Sequence, residues 1–263
     1  MIPKKIHYCW FGGNSLPELA IKCIESWKKY LPDYEIIQWN ESNYDVRKIP
    51  YISQAYDAKK YAFVSDYARF DILYDHGGIY FDTDVEVIKN MSEILEHGAF
   101  CGIESAGALN AGLGFASRQR EPILKEILES YNDENFLNDD GSLNLKTVVT
   151  RVSDIFKQYG FTDEVKIQNV AGITIYPMEY FCPKDYETGN LCIAKNTYTI
   201  HHYDGSWTPN DFKEISSFKW SVYSRIKFKP LAKLIIIIWG VYRRIKKYGV
   251  ISALKHYKDN YIK

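Results

Sequence analysis

The sequence lacks the features that mark secreted, membrane-spanning and nucleic-acid-binding chains. Its 263 residues include five scattered cysteines without a Cys-x-x-Cys pair, which favours a reduced cytosolic chain. The amino terminus has no apolar secretory stretch, and no apolar run approaches the ~20 residues that a membrane-spanning helix needs. Lys and Arg together number 33, as do Asp and Glu, so the formal net charge of zero gives no indication of nucleic acid.

What the sequence has is the composition of a folded protein, with its charges unevenly distributed. Hydrophobic residues make up 46% and charged residues 25%, which excludes collagen-like, mucin-like and disordered chains. From Lys213 onward there are thirteen Lys or Arg residues and two acids, so residues 1–212 carry an excess of eleven acids. We therefore expect a domain at 1–212 and a basic amphipathic helical segment at 213–263, with different partners.

The pattern of apolar residues predicts an α/β fold. An apolar strand at 6–11 is closed by two glycines, a helix follows as far as Pro32, and 34–39 forms a second strand. This β–α–β opening is typical of a sheet with parallel neighbours. One long helix is expected over 53–75, with Gly77 as its left-handed cap. Further strands are predicted at 79–81, 100–103, 172–176 and 197–201, and further helices at 121–131 and 146–159.

An Asp-x-Asp pair is the sharpest local signal. Asp82 and Asp84 follow the apolar strand at 79–81, at the strand end where open α/β sheets place their ligands. Because alternate strand residues point to opposite faces, only a turn brings both carboxylates to one site. Two hard oxygen donors suit Mg²⁺ or Mn²⁺ and leave coordination positions for diphosphate oxygens. The alternative, a solvated acidic turn, is weakened by the buried run that precedes it.

Four segments of the chain are informative when taken together: IPKKIHYCWFGG at 2–13, YEIIQWNE at 34–41, AFVSDYARFDILYDHGGIYFDTDVEV at 62–87 and HHYDGSW at 201–207. They resemble the Asp-x-Asp glycosyltransferases of the GT32 type, which include capsular-polysaccharide and Och1-like sugar transferases and are related to the clostridial toxin glucosyltransferases. The resemblance implies a GT-A type nucleotide-sugar-binding fold, a Rossmann-like mixed sheet flanked by helices. The implied activity is metal-dependent transfer of a hexose or similar sugar from a nucleotide diphosphate, with UDP the expected carrier.

The resemblance also implies donor-binding residues on the first strand and on the long helix. Trp10 occupies the place of an indole that stacks on the donor base, and Tyr8 is a further donor-binding candidate on that strand. Ser65, Asp66 and Arg69 occupy the place of a Ser-Asp-x-x-Arg motif that holds donor-sugar hydroxyls, and residues three apart share a helix face. The alternatives are a core tryptophan and an ordinary surface ion pair.

The metal site that the resemblance implies consists of the two acids and one histidine. Asp84 is the expected direct ligand, while Asp82 holds the ribose and reaches the metal directly or through water, and both are the catalytic residues. Spacing to Gly205 makes His202 the expected histidine, with His201 second. Mn²⁺ is the expected cofactor, or Mg²⁺, since imidazole accepts Mn²⁺ more readily. Alternatively, the two histidines end a strand as packing or surface residues.

The same resemblance implies three further donor-binding candidates and a stereochemical outcome of the reaction. The candidates are Asn110, Ser206 and Trp207, and Glu104 lies near the first of them in sequence. The cation would neutralise charge that grows on the departing nucleoside diphosphate. Retention at the anomeric carbon is implied, and because no nucleophilic carboxylate is identified, front-side displacement without a covalent intermediate is the hypothesis.

The basic C-terminal segment predicts an interaction with an anionic membrane surface. Between Trp220 and Lys247 apolar side chains are interleaved with lysines and arginines, and each basic residue near lipid headgroups contributes roughly 1 kcal/mol. We therefore expect a cytoplasmic protein attached to the inner face of a bacterial membrane, with a glycan or lipid-linked oligosaccharide of surface polysaccharide synthesis as acceptor. The alternative is a core helix with a basic outer face. Nucleic acid is not an expected partner, because no recognition motif accompanies the charge.

Two other function classes fit part of the sequence. An apolar strand followed by Asp-Thr-Asp-Val also resembles the nucleophile strand of haloacid-dehalogenase-like phosphatases, although that fold normally opens with this strand. A non-catalytic sugar-binding module would account for the 22 tyrosines, 13 phenylalanines and 6 tryptophans. Such a module predicts glycan binding that does not depend on metal.

Overall fold

A computed structural model describes residues 1–205 and 210–250, and the chain forms two compact units. The first unit comprises Met1–Pro183 and Cys192–Tyr203, and the second comprises Lys184–Leu191 and the chain from Asp204 onward. The predicted boundary between residues 212 and 213 falls inside a helix of the second unit.

Short strands and helices alternate along the first unit. Its strands are β1 (Lys5–Cys9), β2 (Glu35–Trp39), β3 (Gly78–Tyr80), β4 (Val85–Val87), β5 (Phe100–Ser105), β6 (Ala108–Asn110), β7 (Phe115–Ser117), β8 (Gln168–Val170), β9 (Ile173–Tyr176) and β10 (Thr199–His201). Its helices are α1 (Glu18–Tyr30), α2 (Pro50–Asp57), α3 (Tyr61–His76), α4 (Ser92–Glu96), α5 (Pro122–Glu129), α6 (Val148–Gln158) and α7 (Met178–Phe181).

Eight strands form one mixed sheet in the order β2-β1-β3-β7-β5-β9-β8, with β6 paired to β5. β1 is parallel to β2 and β3, and Ile6 lies opposite Ile36 and Ile79. β7 is antiparallel to both β3 and β5, so β5 runs in the same direction as β1 and β3. β4 and β10 form a separate antiparallel pair. The predicted mixed α/β sheet flanked by helices is confirmed, and the carboxyl ends of β1, β3 and β5 meet at one edge.

Both faces of this sheet are buried, because its strands carry apolar side chains at successive positions. In β1, Ile6 and Tyr8 belong to one hydrophobic core and Cys9 to the other. Helices cover both faces and supply large side chains to these cores. The first core receives Trp27 from α1, Ile94 from α4 and Phe181 from α7. The second receives Tyr51 from α2, Phe70 from α3, Ile127 from α5 and Phe156 from α6.

The single helix predicted over 53–75 is wrong, because a turn at 58–60 divides it into α2 and α3. Lys59 adopts a left-handed conformation with φ 57°. The amide of Lys60 then donates to the carbonyl of Ala55 over 2.8 Å, which ends the first helix. Left-handed residues commonly end helices, but they are usually glycine, so a lysine there gave no signal.

The other predicted elements are present, with ends shifted by at most two residues. The structure adds the three-residue strands β4, β6, β7 and β8 and the short helices α4 and α7. Three residues are too few to show a period of two in apolar character, and these strands are set by pairing with distant neighbours.

Glycine at the end of α3 sets the position of β3. Gly77 has φ 61° and donates its amide to the carbonyl of Leu73 over 2.8 Å. A β-carbon at this position would lie 2.9 Å from the backbone nitrogen of Gln119. Only glycine fits without displacement, and the chain passes directly from the helix into the strand that leads to the Asp-x-Asp pair.

The second unit is built around two helices, α8 (Asn210–Arg225) and α9 (Lys229–Tyr248). They pack through a small core that contains Val222, Tyr223 and Ala232. The ring of Phe218 stacks on that of Trp239 with a centroid separation of 4.0 Å. Within the described part of the chain, we find no helix with both the length and the apolarity to cross a membrane.

A buried histidine in β1 predicts how stability depends on pH. His7 is fully buried, with Nε2 2.9 Å from the carbonyl of Gly77 and Nδ1 accepting from the indole of Trp39 over 3.1 Å. Burial lowers the pKa of His7 to about 4. Between pH 6.5 and 4 the unfolded chain therefore binds a proton that the folded chain does not, and stability falls as the pH falls.

We expect the free energy of unfolding to drop by about 2 kcal/mol more between pH 7 and pH 5 in the unmodified protein than in a His7→Gln variant. Urea denaturation at the two pH values measures this difference. A His97→Gln variant, which alters an exposed histidine, is the control and should retain the full pH dependence. Equal pH dependence in the His7→Gln variant would show that this buried imidazole is not the responsible group.

Candidate active site

The predicted site residues lie at the edge of the sheet where β1, β3 and β5 end. Trp10 follows β1, Asp82 follows β3 after one residue, and Glu104 is the penultimate residue of β5. The antiparallel pair of β4 and β10 brings His201 opposite Val85, beside the end of the Asp-x-Asp turn. The fold thus brings together segments that are far apart in the sequence, at the edge where α/β sheets bind ligands.

Backbone hydrogen bonds hold the chain that carries Asp82. Its amide donates to the carbonyl of Gly112 over 2.9 Å, and its own carbonyl accepts from the amide of Val85 over 3.1 Å. The second bond closes the turn that allows the two acids to leave the strand direction. The Asp82 carboxylate accepts from the hydroxyl of Tyr80 and lies 3.2 Å from the guanidinium of Arg69.

A close approach by Gly112 determines where the Asp82 carboxylate sits. A β-carbon on Gly112 would overlap Asp82 Oδ2, so any other residue there would have to displace this carboxylate. The amide of Gly112 donates to Oδ1 of Asn110 over 2.7 Å, which caps the 3-10 turn at Ala111–Leu113. In the structure, the side-chain oxygen of Asn110, the residue predicted to contact the donor, holds the turn that supports Asp82.

Asp66 and Arg69 form a buried ion pair on α3. Arg69 Nη2 lies 2.8 Å from Asp66 Oδ1, and the two side chains are 4% and 15% exposed, so they are not a solvated surface pair. Burial raises the pKa of Asp66 to about 6, against the opposing charge of Arg69. Nη1 of Arg69 is buried and has no hydrogen-bond partner among the described residues. The neighbouring Ser65 donates its hydroxyl to the carbonyl of Tyr61 over 3.0 Å.

The two aromatic candidates of β1 have different surroundings. Trp10 is half-buried, and its indole nitrogen donates to the carbonyl of Asn14 over 2.7 Å, which folds the following loop back on the ring. Tyr8 is buried, its ring meets the edge of Trp27, and its hydroxyl donates to Gln38 over 2.9 Å. Part of the Trp10 ring is accessible to a ligand, whereas Tyr8 packs in the core beside it.

His201 is the histidine beside the second acid. Its Nε2 lies 3.4 Å from Asp84 Oδ1, and its Nδ1 lies 3.9 Å from Glu104 Oε1. That Nδ1 is buried and lacks a hydrogen-bond partner within the described chain. Although burial by itself lowers the pKa of His201, the Asp84 carboxylate raises it well above the usual value. The ring of Tyr203 lies 4.2 Å from the imidazole and covers it.

The geometry reverses the order predicted for the two histidines. His202 Nε2 lies 2.8 Å from Glu86 Oε2, and Glu86 also pairs with Lys22. The backbone amide of His202 donates to the carbonyl of Asp84 over 3.0 Å. Because successive strand residues point to opposite faces, the register of β10 on β4 directs His201 rather than His202 toward the acid. Spacing to Gly205 carried no information about that register.

Two candidates, Ser206 and Trp207, lie outside the described residues. Two residues that matter in the geometry were not singled out from the sequence. They are Gly112, which limits the position of Asp82, and Tyr80, whose hydroxyl donates to the same carboxylate. The glycines of the run Asn-Ala-Gly-Leu-Gly at 110–114 were the available signal, since such glycines often mark a close backbone approach.

The chemistry of these side chains fits a divalent cation. Asp82 and Asp84 offer hard oxygen ligands, and the imidazole of His201 lies beside the second of them, with Nε2 3.4 Å from Asp84 Oδ1. Over residues 1–205 and 210–250, no three His, Cys, Asp or Glu side chains form a ready-made cage. Mg²⁺-type sites use one or two carboxylates and complete the shell with water and substrate phosphates.

Residues 17–101 match the family described as a glycosyltransferase sugar-binding region containing a DXD motif. The pair Asp82 and Asp84 lies inside the matched segment. The resemblance to Asp-x-Asp glycosyltransferases that the sequence indicated is thereby confirmed for this segment.

Several relatives are glycosyltransferases by name. Inositol phosphoceramide mannosyltransferase 3 of Schizosaccharomyces pombe is 31% identical over 134 residues, which are 49% of this chain and 37% of that protein. This chain thus spans well under half the length of that relative. A glycosyltransferase of Acanthamoeba polyphaga mimivirus is 26% identical over 80% of this chain and 85% of its own length. Among solved structures, the PaToxG glycosyltransferase is 22% identical, with a TM-score of 0.46 over 60% of this chain and 68% of its own.

Metal binding distinguishes the two histidines. We expect a His201→Ala variant to bind Mn²⁺ about tenfold or more weakly than the unmodified protein, since outer-shell changes alone cost that much. A His202→Ala variant should bind Mn²⁺ almost normally, because its imidazole faces Glu86. Isothermal titration of the full chain measures both, and a weaker binding constant for His202→Ala than for His201→Ala would contradict the assignment.

Proposed function

We propose, on the premise that residues 17–101 form a DXD-containing glycosyltransferase sugar-binding region, that the protein transfers a sugar from a nucleotide diphosphate donor. The fold that we propose for this reaction is of the GT-A type. One observation carries the proposal. The Asp-x-Asp turn lies at the carboxyl edge of the sheet, with Arg69 beside Asp82 and His201 beside Asp84.

The buried pair on α3 is proposed to hold the donor sugar. Arg69 joins Asp66 and Asp82 through one guanidinium nitrogen and leaves Nη1 buried and unpaired. A buried donor without a partner costs free energy in the absence of a ligand, and a sugar hydroxyl would remove that cost. An ionised Asp66 carboxylate would accept from a sugar hydroxyl, so the pair offers both a donor and an acceptor.

The acids and His201 would hold the cation that accompanies the diphosphate. A bound Mn²⁺ or Mg²⁺ supplies Lewis-acid stabilisation of the negative charge on the leaving nucleoside diphosphate. The protein orients the ligands: Gly112 and Tyr80 fix the Asp82 carboxylate, and the turn closed at Val85 fixes Asp84. His201 would hold the cation through a neutral nitrogen, so metal binding would compete with protonation of this imidazole.

Trp10 is proposed to contact the base of the donor. Its ring is half-exposed at the end of β1, at the same edge as the Asp-x-Asp turn, and an aromatic face there suits base stacking. UDP remains the proposed carrier and a hexose the proposed sugar. Retention by front-side displacement remains part of the proposal.

The acceptor is proposed to be a glycan or a lipid-linked oligosaccharide of surface polysaccharide synthesis, in a bacterial setting. A relative named as an inositol phosphoceramide mannosyltransferase favours a lipid-bearing acceptor. We further propose that the basic C-terminal segment holds the enzyme at the inner face of the membrane. An acceptor that resides in lipid would then meet an enzyme confined to the same surface.

Donor hydrolysis tests the proposal and the role of Asp84. With a panel of nucleotide sugars and Mn²⁺, we expect slow release of nucleoside diphosphate from at least one donor. An Asp84→Ala variant should lower that rate about 100-fold or more, because the cation loses a direct ligand. An Asp139→Ala variant alters an exposed acid of the 132–141 loop and is the control.

Three outcomes contradict parts of this proposal. Full activity of Asp84→Ala would remove that residue from the metal shell. Cleavage of phosphomonoesters without release of nucleoside diphosphate would favour a phosphatase. Glycan binding that is independent of metal, together with no donor turnover, would favour a sugar-binding module.

A second test concerns the support beneath Asp82. A Gly112→Ala variant must displace the Asp82 carboxylate, and a misplacement of about 1 Å costs roughly 100-fold in rate. The matched control is Gly240→Ala, since a β-carbon at Gly240 meets nothing within 4 Å. Thermal unfolding establishes that both variants fold, and donor hydrolysis measures the effect. Unchanged turnover in Gly112→Ala would show that the position of Asp82 is not critical.

A further inference from the structure

Helix α9 has one face that is apolar along its whole length and exposed. The side chains on this face recur at intervals of three and four residues, which is the spacing of one side of a helix. Each is between 37% and 61% exposed, so none is sequestered in a core. The face is formed by Leu231, Leu234, Ile237, Ile238, Tyr242 and Ile245.

The opposite face of α9 already satisfies the packing of the second unit. Ala232 is fully buried against α8, with Ile235 and Ile236 beside it. Trp239 stacks on Phe218, and Arg243 pairs with Glu214 of α8 over 2.8 Å. The helix pair thus has its core on one side of α9, and the exposed apolar side contributes nothing to it. An exposed apolar face of this extent marks a surface that contacts a partner.

The charge of α9 indicates the chemistry of that partner. The helix contains six Lys or Arg residues and no Asp or Glu. Lys233 and Arg244 lie on one flank of the apolar face, and Lys246 lies on the other, as helical spacing of 100° per residue places them. A surface that is apolar in the middle and cationic at both flanks is complementary to a bilayer with anionic headgroups.

The length and polarity of the helix determine how it meets a bilayer. Twenty residues of α-helix extend about 30 Å, which would reach across the hydrocarbon core. A membrane-spanning orientation of α9 is excluded by its six cationic side chains and by the face that packs on α8. None of the helices described here is both long and apolar enough to cross a membrane. An orientation parallel to the surface keeps the charges at the headgroups and the apolar face in lipid.

We propose that α9 lies in the plane of an anionic membrane surface, with the face from Leu231 to Ile245 inserted at the boundary of the acyl chains. This deepens the membrane attachment included in the proposed function by naming the inserted face, and it rests on that attachment but not on sugar transfer. α8 then lies on the side of α9 that faces away from lipid.

Vesicle binding by the full chain tests the orientation. The probes are phosphatidylcholine vesicles with and without phosphatidylglycerol, and the readout is co-sedimentation. We expect binding only to the anionic vesicles and a loss of at least tenfold in affinity for a Leu234→Glu, Ile238→Glu double variant. The matched control is Ile21→Glu with Leu145→Glu, which alters two side chains of the first unit that are 50% and 58% exposed.

A second variant distinguishes the contribution of charge to vesicle binding from that of apolar insertion. Lys233→Gln with Arg244→Gln leaves the apolar face intact and should weaken binding to anionic vesicles about fivefold for each charge removed. Raising the salt concentration should weaken the unmodified protein in the same way. Thermal unfolding of every variant confirms that the helix pair has folded.

Two results would overturn the proposal. If the Leu234→Glu, Ile238→Glu variant binds anionic vesicles as tightly as the unmodified protein, the face is not inserted. If the unmodified protein sediments as a dimer that this variant abolishes, and neither binds vesicles, the face is an interface between copies. Donor hydrolysis in solution is measured in parallel, so a failure of sugar transfer and a failure of membrane binding are recorded separately.

Discussion

One hydrogen bond, from the amide of Asp82 to the carbonyl of Gly112, determines where the candidate site lies. It joins the end of β3 to the turn that precedes β7, two segments about thirty residues apart along the chain. The parallel pairing of β3 with β1 supplies the other anchor, because the amide of Phe81 donates to the carbonyl of His7. Held on both sides, the chain leaves the sheet in a fixed direction. This direction positions the two acids relative to the guanidinium of Arg69 and the imidazole of His201.

Charge balance explains why so many ionisable groups are tolerated in this region. Arg69 is nearly fully buried and lies between Asp66 and Asp82, so one cation faces two carboxylates. Buried charges are costly unless they are paired, and this arrangement pairs each of the three while it leaves excess negative charge. Asp84 and Glu104 add to that excess around His201. Excess negative charge of this kind is the electrostatic condition for the divalent cation that we propose for this site.

The sequence predicts the sheet well and the fine geometry of the site less well, for physical reasons. Strands β2 and β3 contain adjacent apolar residues, Ile36 with Ile37 and Ile79 with Tyr80, and such short apolar runs are local signals. The pairing of Asp66 with Arg69 follows from their spacing on one helix. The choice between His201 and His202 depends on the register of β10 against β4, which joins residues more than one hundred positions apart. The contact of Gly112 with Asp82 is likewise non-local. The break at Lys59 escapes prediction because a lysine adopts the conformation that glycine usually adopts.

The exposed apolar face of α9 also bears on how the protein behaves when it is concentrated away from lipid. Six large exposed side chains along this helix allow each molecule in solution to associate with its neighbours. In addition, the formal charge of the whole chain is zero near neutral pH. Colloidal repulsion between molecules is therefore weak, while short-range attraction through this helix is strong. Mild detergent or a pH away from neutrality would keep the purified protein dispersed, and crystals grown without either would be expected to bury α9 in their packing.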